Sequence, residues 1–146
     1  MRQISTTSSI DNLAHIPGLR LTQTETGLSL IHCQNDFGAG QFLLQGAQLL
    51  EWSPTNQQSA VWLSPHTKFT PGKSPRGGTP ICWPWFGAHE SQPDLPAHGF
   101  VRAALWTLAH ASQLSNGGHQ LIFSLIRDAH SHDFWPYNTP LEIRYK

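Results

Sequence analysis

GLSLIHCQNDFGAGQFLLQGAQLLEWSP, residues 27–54, decides the fold class. Leu28, Leu30 and His32 alternate with Ser29, Ile31 and Cys33, the two-residue period of a strand beside a packed face. Glycines at 38, 40 and 46 then interrupt an apolar run, which suits bent or bulged strands and not a helix. The stretch is therefore expected to hold a strand over 27–34 and two more, joined by a tight bend, over 37–54.

Moving outward, AVWLS at 60–64 has the composition of a short strand, and SPHTKFTPGKSPRGG at 64–78 is a loop dense in Pro, Gly and Ser. AHESQPDLPAHG at 88–99 is a second polar, proline-punctuated loop. FVRAALWTLAHASQL at 100–114 is expected to be a strand. SNGGHQ is a turn that folds LWTLAHASQL against QLIFSLIRD at 120–128, and LEIRYK at 141–146 opens another strand. The chain has 146 residues, of which 38% are hydrophobic and 12% charged, with 11 prolines and 12 glycines, and these proportions favour an all-β class. Residues 1–20 are expected to be a poorly ordered, Ser/Thr-rich lead-in, and 21–146 part of one domain. LEIRYK carries no closing turn, so a further sheet partner is expected beyond it, and the uncovered edge is a candidate for self-association.

Nine basic and nine acidic side chains give no net charge and no basic run, so nucleic acid is not an expected partner. No apolar segment is long enough to span a membrane or serve as a secretory signal, and the expectation is a cytoplasmic protein without a membrane partner. Cys33 and Cys82 do not form a CxxC pair and are expected to be reduced, buried thiols. No GxSxG, Walker loop, GxGxxG or HExxH occurs. His130 and His132 have the spacing of two ligands on a strand but no third, Glu90 and Asp94 read as solvated loop acids, and no metal site is assigned.

The chemistry concentrates in PRGGTPICWPWFG, residues 75–87, and in LPAHGFVR, residues 95–102. Arg76 precedes two glycines that permit close approach of a backbone or a ligand. A strand over 100–108 would project His98 and Arg102 to the same side. Guanidinium groups bind carboxylate or phosphate in bidentate geometry, and the faces of Trp83 or Trp85 suit the C–H surface of a ring or sugar, so a small phosphorylated or acidic ligand fits the set. Solvated arginines and core tryptophans are the plain alternative.

These two motifs, with GAQLLEW, VWLS and FWPYNTPLEIRY, resemble the D-hexose-6-phosphate mutarotases (glucose-6-phosphate 1-epimerases) of the aldose 1-epimerase superfamily. The resemblance implies a galactose-mutarotase-like β-sandwich (supersandwich), incomplete in this chain, that needs no cofactor and interconverts the anomers of a hexose 6-phosphate. It implies substrate-binding roles for Arg76, His98 and Arg102. Ala97 stands where some members carry a glutamine, so only its backbone could serve. The family's catalytic histidine, in an HTYF-like motif, and its later glutamate have no counterpart here, and the chain on its own is expected to be inactive. The competing reading is a non-catalytic carbohydrate- or sugar-phosphate-binding module.

Overall fold

The computed structural model describes residues 10, 13–125 and 135–146. Among the described residues, seven strands form two antiparallel sheets. Strands β1 (Leu19–Gln23), β2 (Ser29–Asn35), β3 (Gly38–Leu43) and β4 (Gln48–Pro54) make a four-stranded meander, and β5 (Thr107–Gln113), β6 (His119–Leu125) and β7 (Leu141–Tyr145) make a three-stranded one. The glycine-marked irregularity lies where expected, as a register shift between Gln41 and Phe42 on β3.

The sheets pack face to face through residues alternating along their strands. Leu19, Ile31 and Phe42 from the first meet Leu108, Leu121 and Phe123 from the second, with Val101 and Trp106 closing one end. The Phe42 ring lies 6.1 Å from Phe123 and 4.9 Å from Tyr145, whose hydroxyl donates to the Ala47 carbonyl at 2.9 Å. Burying each such side chain contributes about 1.5–3 kcal/mol. The far face of the first sheet is also covered: Leu30, Leu43 and Leu50 form a second cluster with Leu63 and Phe69. The loop after β4 therefore lies on β2–β4, and this placement positions the candidate site.

Three expectations are corrected. Within the lead-in predicted over 1–20, Leu13–His15 forms a 3-10 turn with Leu13 buried, and Leu19 begins β1. The short strand at 60–64 is reduced to an isolated bridge between Leu63 and Gly77, with Trp62 exposed; two backbone bonds bind this segment to 76–78, and no strand ladder forms. The strand predicted over 100–114 begins only at Thr107. Residues 100–104 turn instead, with Ala103 N–H donating to the Phe100 carbonyl at 3.2 Å and Ala104 N–H to Val101 at 3.3 Å. Buried Val101 and Trp106 anchor the two sides of that turn, and the Trp106 indole N–H donates to the Val101 carbonyl at 2.9 Å. His130, His132 and the end of the strand expected over 120–128 lie outside the described residues.

Candidate functional site

The site is built on the bend between β3 and β4, where two glutamines point inward. Gln45 and Gln48 are 3% and 0% exposed, and a buried amide must find partners. Gln45 finds them in the turn at 70–73: its Oε1 accepts from Gly72 N–H at 2.7 Å, and its Nε2 donates to the Lys73 and Thr70 carbonyls at 2.9 and 3.2 Å. The Nε2 of Gln48 donates to the Gly77 carbonyl at 2.6 Å, while its Oε1 accepts from the Ser74 hydroxyl at 3.3 Å. Two core amides thus fix the loop from 70 to 78 against the sheet. Sequence reading missed both, because a glutamine beside a glycine at a bend carries no signal of burial.

Arg76 is held by its backbone. Its N–H donates to the Thr67 hydroxyl at 2.8 Å and its carbonyl accepts from Ser64 N–H at 3.0 Å, while the residue itself is exposed. The two glycines that follow serve a backbone approach. Gly78 has φ +69°, and a Cβ there would sit 2.7 Å from both the Gln48 amide nitrogen and the Leu49 carbonyl. The amides of Gly78 and Thr79 donate to the carbonyls of Trp62 and Leu49 at 2.8 Å each, so neither remains for an anion.

The second motif is tied to the first through Trp83. Phe100 N–H donates to the Trp83 carbonyl at 3.1 Å, and Gly99, at φ +72°, is pressed against that same carbonyl, where a Cβ would collide. His98 takes φ +65° and pairs twice with Gly87: its N–H donates to the Gly87 carbonyl at 2.7 Å, and its Nδ1 accepts from Gly87 N–H at 3.1 Å. An amide N–H can only donate, so the Nδ1 of His98 is unprotonated and the neutral ring carries its proton on Nε2. The ring rests 4.7 Å from Phe86, which is 81% exposed. Trp83 packs on Phe100 and Trp135, and the Trp85 indole N–H donates to the Pro96 carbonyl at 3.0 Å, so both tryptophans build the wall.

Arg102 lies on the turn and not on a strand, so the alternation argued from sequence does not relate it to His98. Its Nη2 donates to the Ala97 carbonyl at 2.8 Å, which orients the guanidinium and occupies the backbone oxygen that the sequence offered to a substrate. The two motifs meet at an open depression of about 710 Å³ lined by Gly77 and Gly78 from the first and Gly99, Phe100 and Arg102 from the second. Lys73, which the sequence reading passed over, also lines it, whereas Arg76 and His98 do not. Among the described residues no group of three His, Cys, Asp or Glu side chains could hold a metal ion, and no helix is long and apolar enough to cross a membrane.

Comparison with known proteins places this arrangement. The family profile described as "Aldose 1-epimerase" matches residues 29–146. A protein of Escherichia coli (strain K12) named "Putative glucose-6-phosphate 1-epimerase" is 40% identical over 119 residues, covering 82% of this chain and 40% of the relative. One of the same name from Cenchrus ciliaris is 33% identical over 93 residues, or 63% of this chain and 27% of the relative. Among solved structures, that of a "putative mutarotase (YeaD) from Salmonella typhimurium" superposes with a TM-score of 0.81 at 36% identity, covering 92% of this chain and 47% of the other. The chain thus spans less than half the length of these relatives, and its two sheets have the mutarotase fold.

Proposed function

Since the chain belongs to the aldose 1-epimerase family, we propose that it supplies one wall of the substrate groove in an enzyme interconverting the α and β anomers of a hexose 6-phosphate. One observation carries the reading: RGG and HGFVR, 20 residues and more apart in the sequence, close around one depression with Arg102 at its side. A guanidinium already oriented by the Ala97 carbonyl keeps its remaining N–H groups for a phosphate, and a preoriented fork loses little freedom on binding. Arg76 presents a second guanidinium on the adjoining loop. His98, with its proton on Nε2, offers a hydrogen-bond donor to a sugar oxygen.

The reaction needs an acid at the ring oxygen and a base at the anomeric hydroxyl. Protonation of the one and deprotonation of the other open the ring, the aldehyde rotates, and closure reverses the roles. By family resemblance the acid is the histidine of an HTYF-like motif, which does not occur in these 146 residues, and the base is a later glutamate. The residues named here bind and orient the sugar.

Anomer exchange of glucose 6-phosphate, followed by NMR in the protein that carries this chain, tests the proposal. Arg102→Ala and Arg76→Ala are each expected to lower kcat/KM about tenfold or more, chiefly through KM. Normal exchange in both variants would overturn the phosphate assignment. The 146-residue chain alone is expected to leave exchange at its rate in buffer, since each missing proton-transfer group accounts for roughly 10²–10⁴-fold. Clear turnover by that chain would refute this division of labour.

A further inference from the structure

We propose that Lys73 is a phosphate-binding residue, the partner of Arg102 in one cationic clamp; the inference rests on the hexose 6-phosphate reading and deepens it. The depression that unites the two motifs is lined by Lys73 and Arg102 together, and no aspartate or glutamate among the described residues lines it. Among the described residues the ion pair formed is Arg144 with Glu142, on β7, so neither Lys73 nor Arg102 has a carboxylate partner there. Two cations on the wall of one concave site, with no acid between them, repel each other, and an anion bound between them relieves that repulsion.

The placement of Lys73 is also costly to build. Its carbonyl takes one N–H of Gln45, and its own N–H donates to the Thr70 carbonyl at 3.1 Å, closing the turn. The same Gln45 amide accepts from Gly72, so a side chain only 3% exposed commits its oxygen and nitrogen to holding this one turn at the lip of the depression. The loop amides of Gly78 and Thr79 are already engaged with carbonyls and offer an anion nothing, which gives the side-chain cations more weight here. Lysine supplies a compact charge with three donors, and it complements the planar fork of Arg102.

The experiment is calorimetric titration of the full chain with glucose 6-phosphate, inorganic phosphate and glucose, for the parent sequence, Lys73→Met, Lys73→Arg and Lys68→Met. Lys73→Met is expected to weaken both phosphate ligands about tenfold and to leave glucose unchanged, and Lys73→Arg to recover most of that loss. Lys68, an exposed lysine that does not line the depression, is expected to have no effect. Circular dichroism confirms folding of each variant, and among the described residues the Lys73 side chain makes no hydrogen bond or ion pair whose loss would unfold it. Unchanged phosphate affinity in Lys73→Met, or no phosphate binding by the parent sequence, overturns the proposal. Loss of phosphate affinity in Lys73→Met without any anomer exchange in the parent protein upholds the clamp and sinks the mutarotase reading alone.

Discussion

At the scale of single residues, the site depends on groups that do not touch substrate. Gln48 satisfies the Gly77 carbonyl from a fully buried position, and Gln48→Leu would leave that carbonyl and the Ser74 hydroxyl without it. Such a loss costs about 1–3 kcal/mol, so the urea midpoint is expected to fall clearly, with weakened glucose 6-phosphate binding as the loop shifts. An unchanged midpoint would show that the loop is held elsewhere. Arg76, His98 and Arg102 were visible as candidates because arginine, glycine and aromatic residues cluster in two short motifs, although of the three only Arg102 lines the depression. Gln45, Gln48 and Lys73 were not, since their roles come from a fold that brings residues 45–48 beneath residues 70–78. The tautomer of His98 was equally hidden, because it is set by the amide of Gly87, 11 residues away.

Among the elements, alternation found β2, glycine placement found the bend between β3 and β4, the SNGG turn found the β5–β6 hairpin, and LEIRYK was read as the strand that became β7. Sequence reading missed β1, LRLTQ, because a strand with only Leu19 fully buried shows little apolar repeat. It overread 60–64 and 100–104, where Leu63 and Val101 anchor loops. What holds β1 and the segment before it to the second sheet is partly a side chain. His119, at the start of β6 and 6% exposed, has Nε2 bonded to the Pro17 carbonyl at 2.7 Å and Nδ1 at 3.0 Å from the Asn35 amide. A carbonyl only accepts, so Nε2 donates and Nδ1 accepts. His119→Ala is expected to lower stability by about 1–3 kcal/mol, with early amide exchange in β1. Exchange that stays uniform across both sheets would contradict this tie.

For the molecule as a whole, three partly buried titratable groups among the described residues set a pH window. Burial pushes the Cys33 thiol above its ordinary 9.0 and the Tyr145 phenol above 10.0, so the fold holds these protons more tightly than the unfolded chain. Their contribution is complete below pH 9 and declines as the pH rises beyond it. His32 is shifted the other way, below 6.5, first by burial and then by the charge of Arg20, against a smaller opposing effect of Glu51. The fold therefore favours its neutral form, and that contribution is lost as the pH falls through 6.5 and below. Urea midpoints are expected to be highest between about pH 6.5 and 9, with a shallower alkaline decline in Cys33→Ala and a shallower acid decline in His32→Gln. Declines identical to those of the parent sequence would rule these groups out as the cause.

The double hydrogen bond between Gly87 and His98 has a further consequence for how this surface can vary. It closes a neck beneath residues 88–97, and the Pro96 and Ala97 carbonyls are engaged by Trp85 and Arg102 just inside it. The contacts that orient His98 and Arg102 are fixed at that neck, which leaves the tip as an exchangeable segment. Because closure entropy rises by only about 0.6 kcal/mol for each doubling of loop length, four Gly/Ser residues inserted between Gln92 and Asp94 are expected to change stability by less than about 1 kcal/mol and to leave phosphate affinity intact. The loop is thus a place where sequence can be rewritten, by selection or by design, to reach other groups of a ligand while the proposed clamp of Lys73 and Arg102 is left untouched.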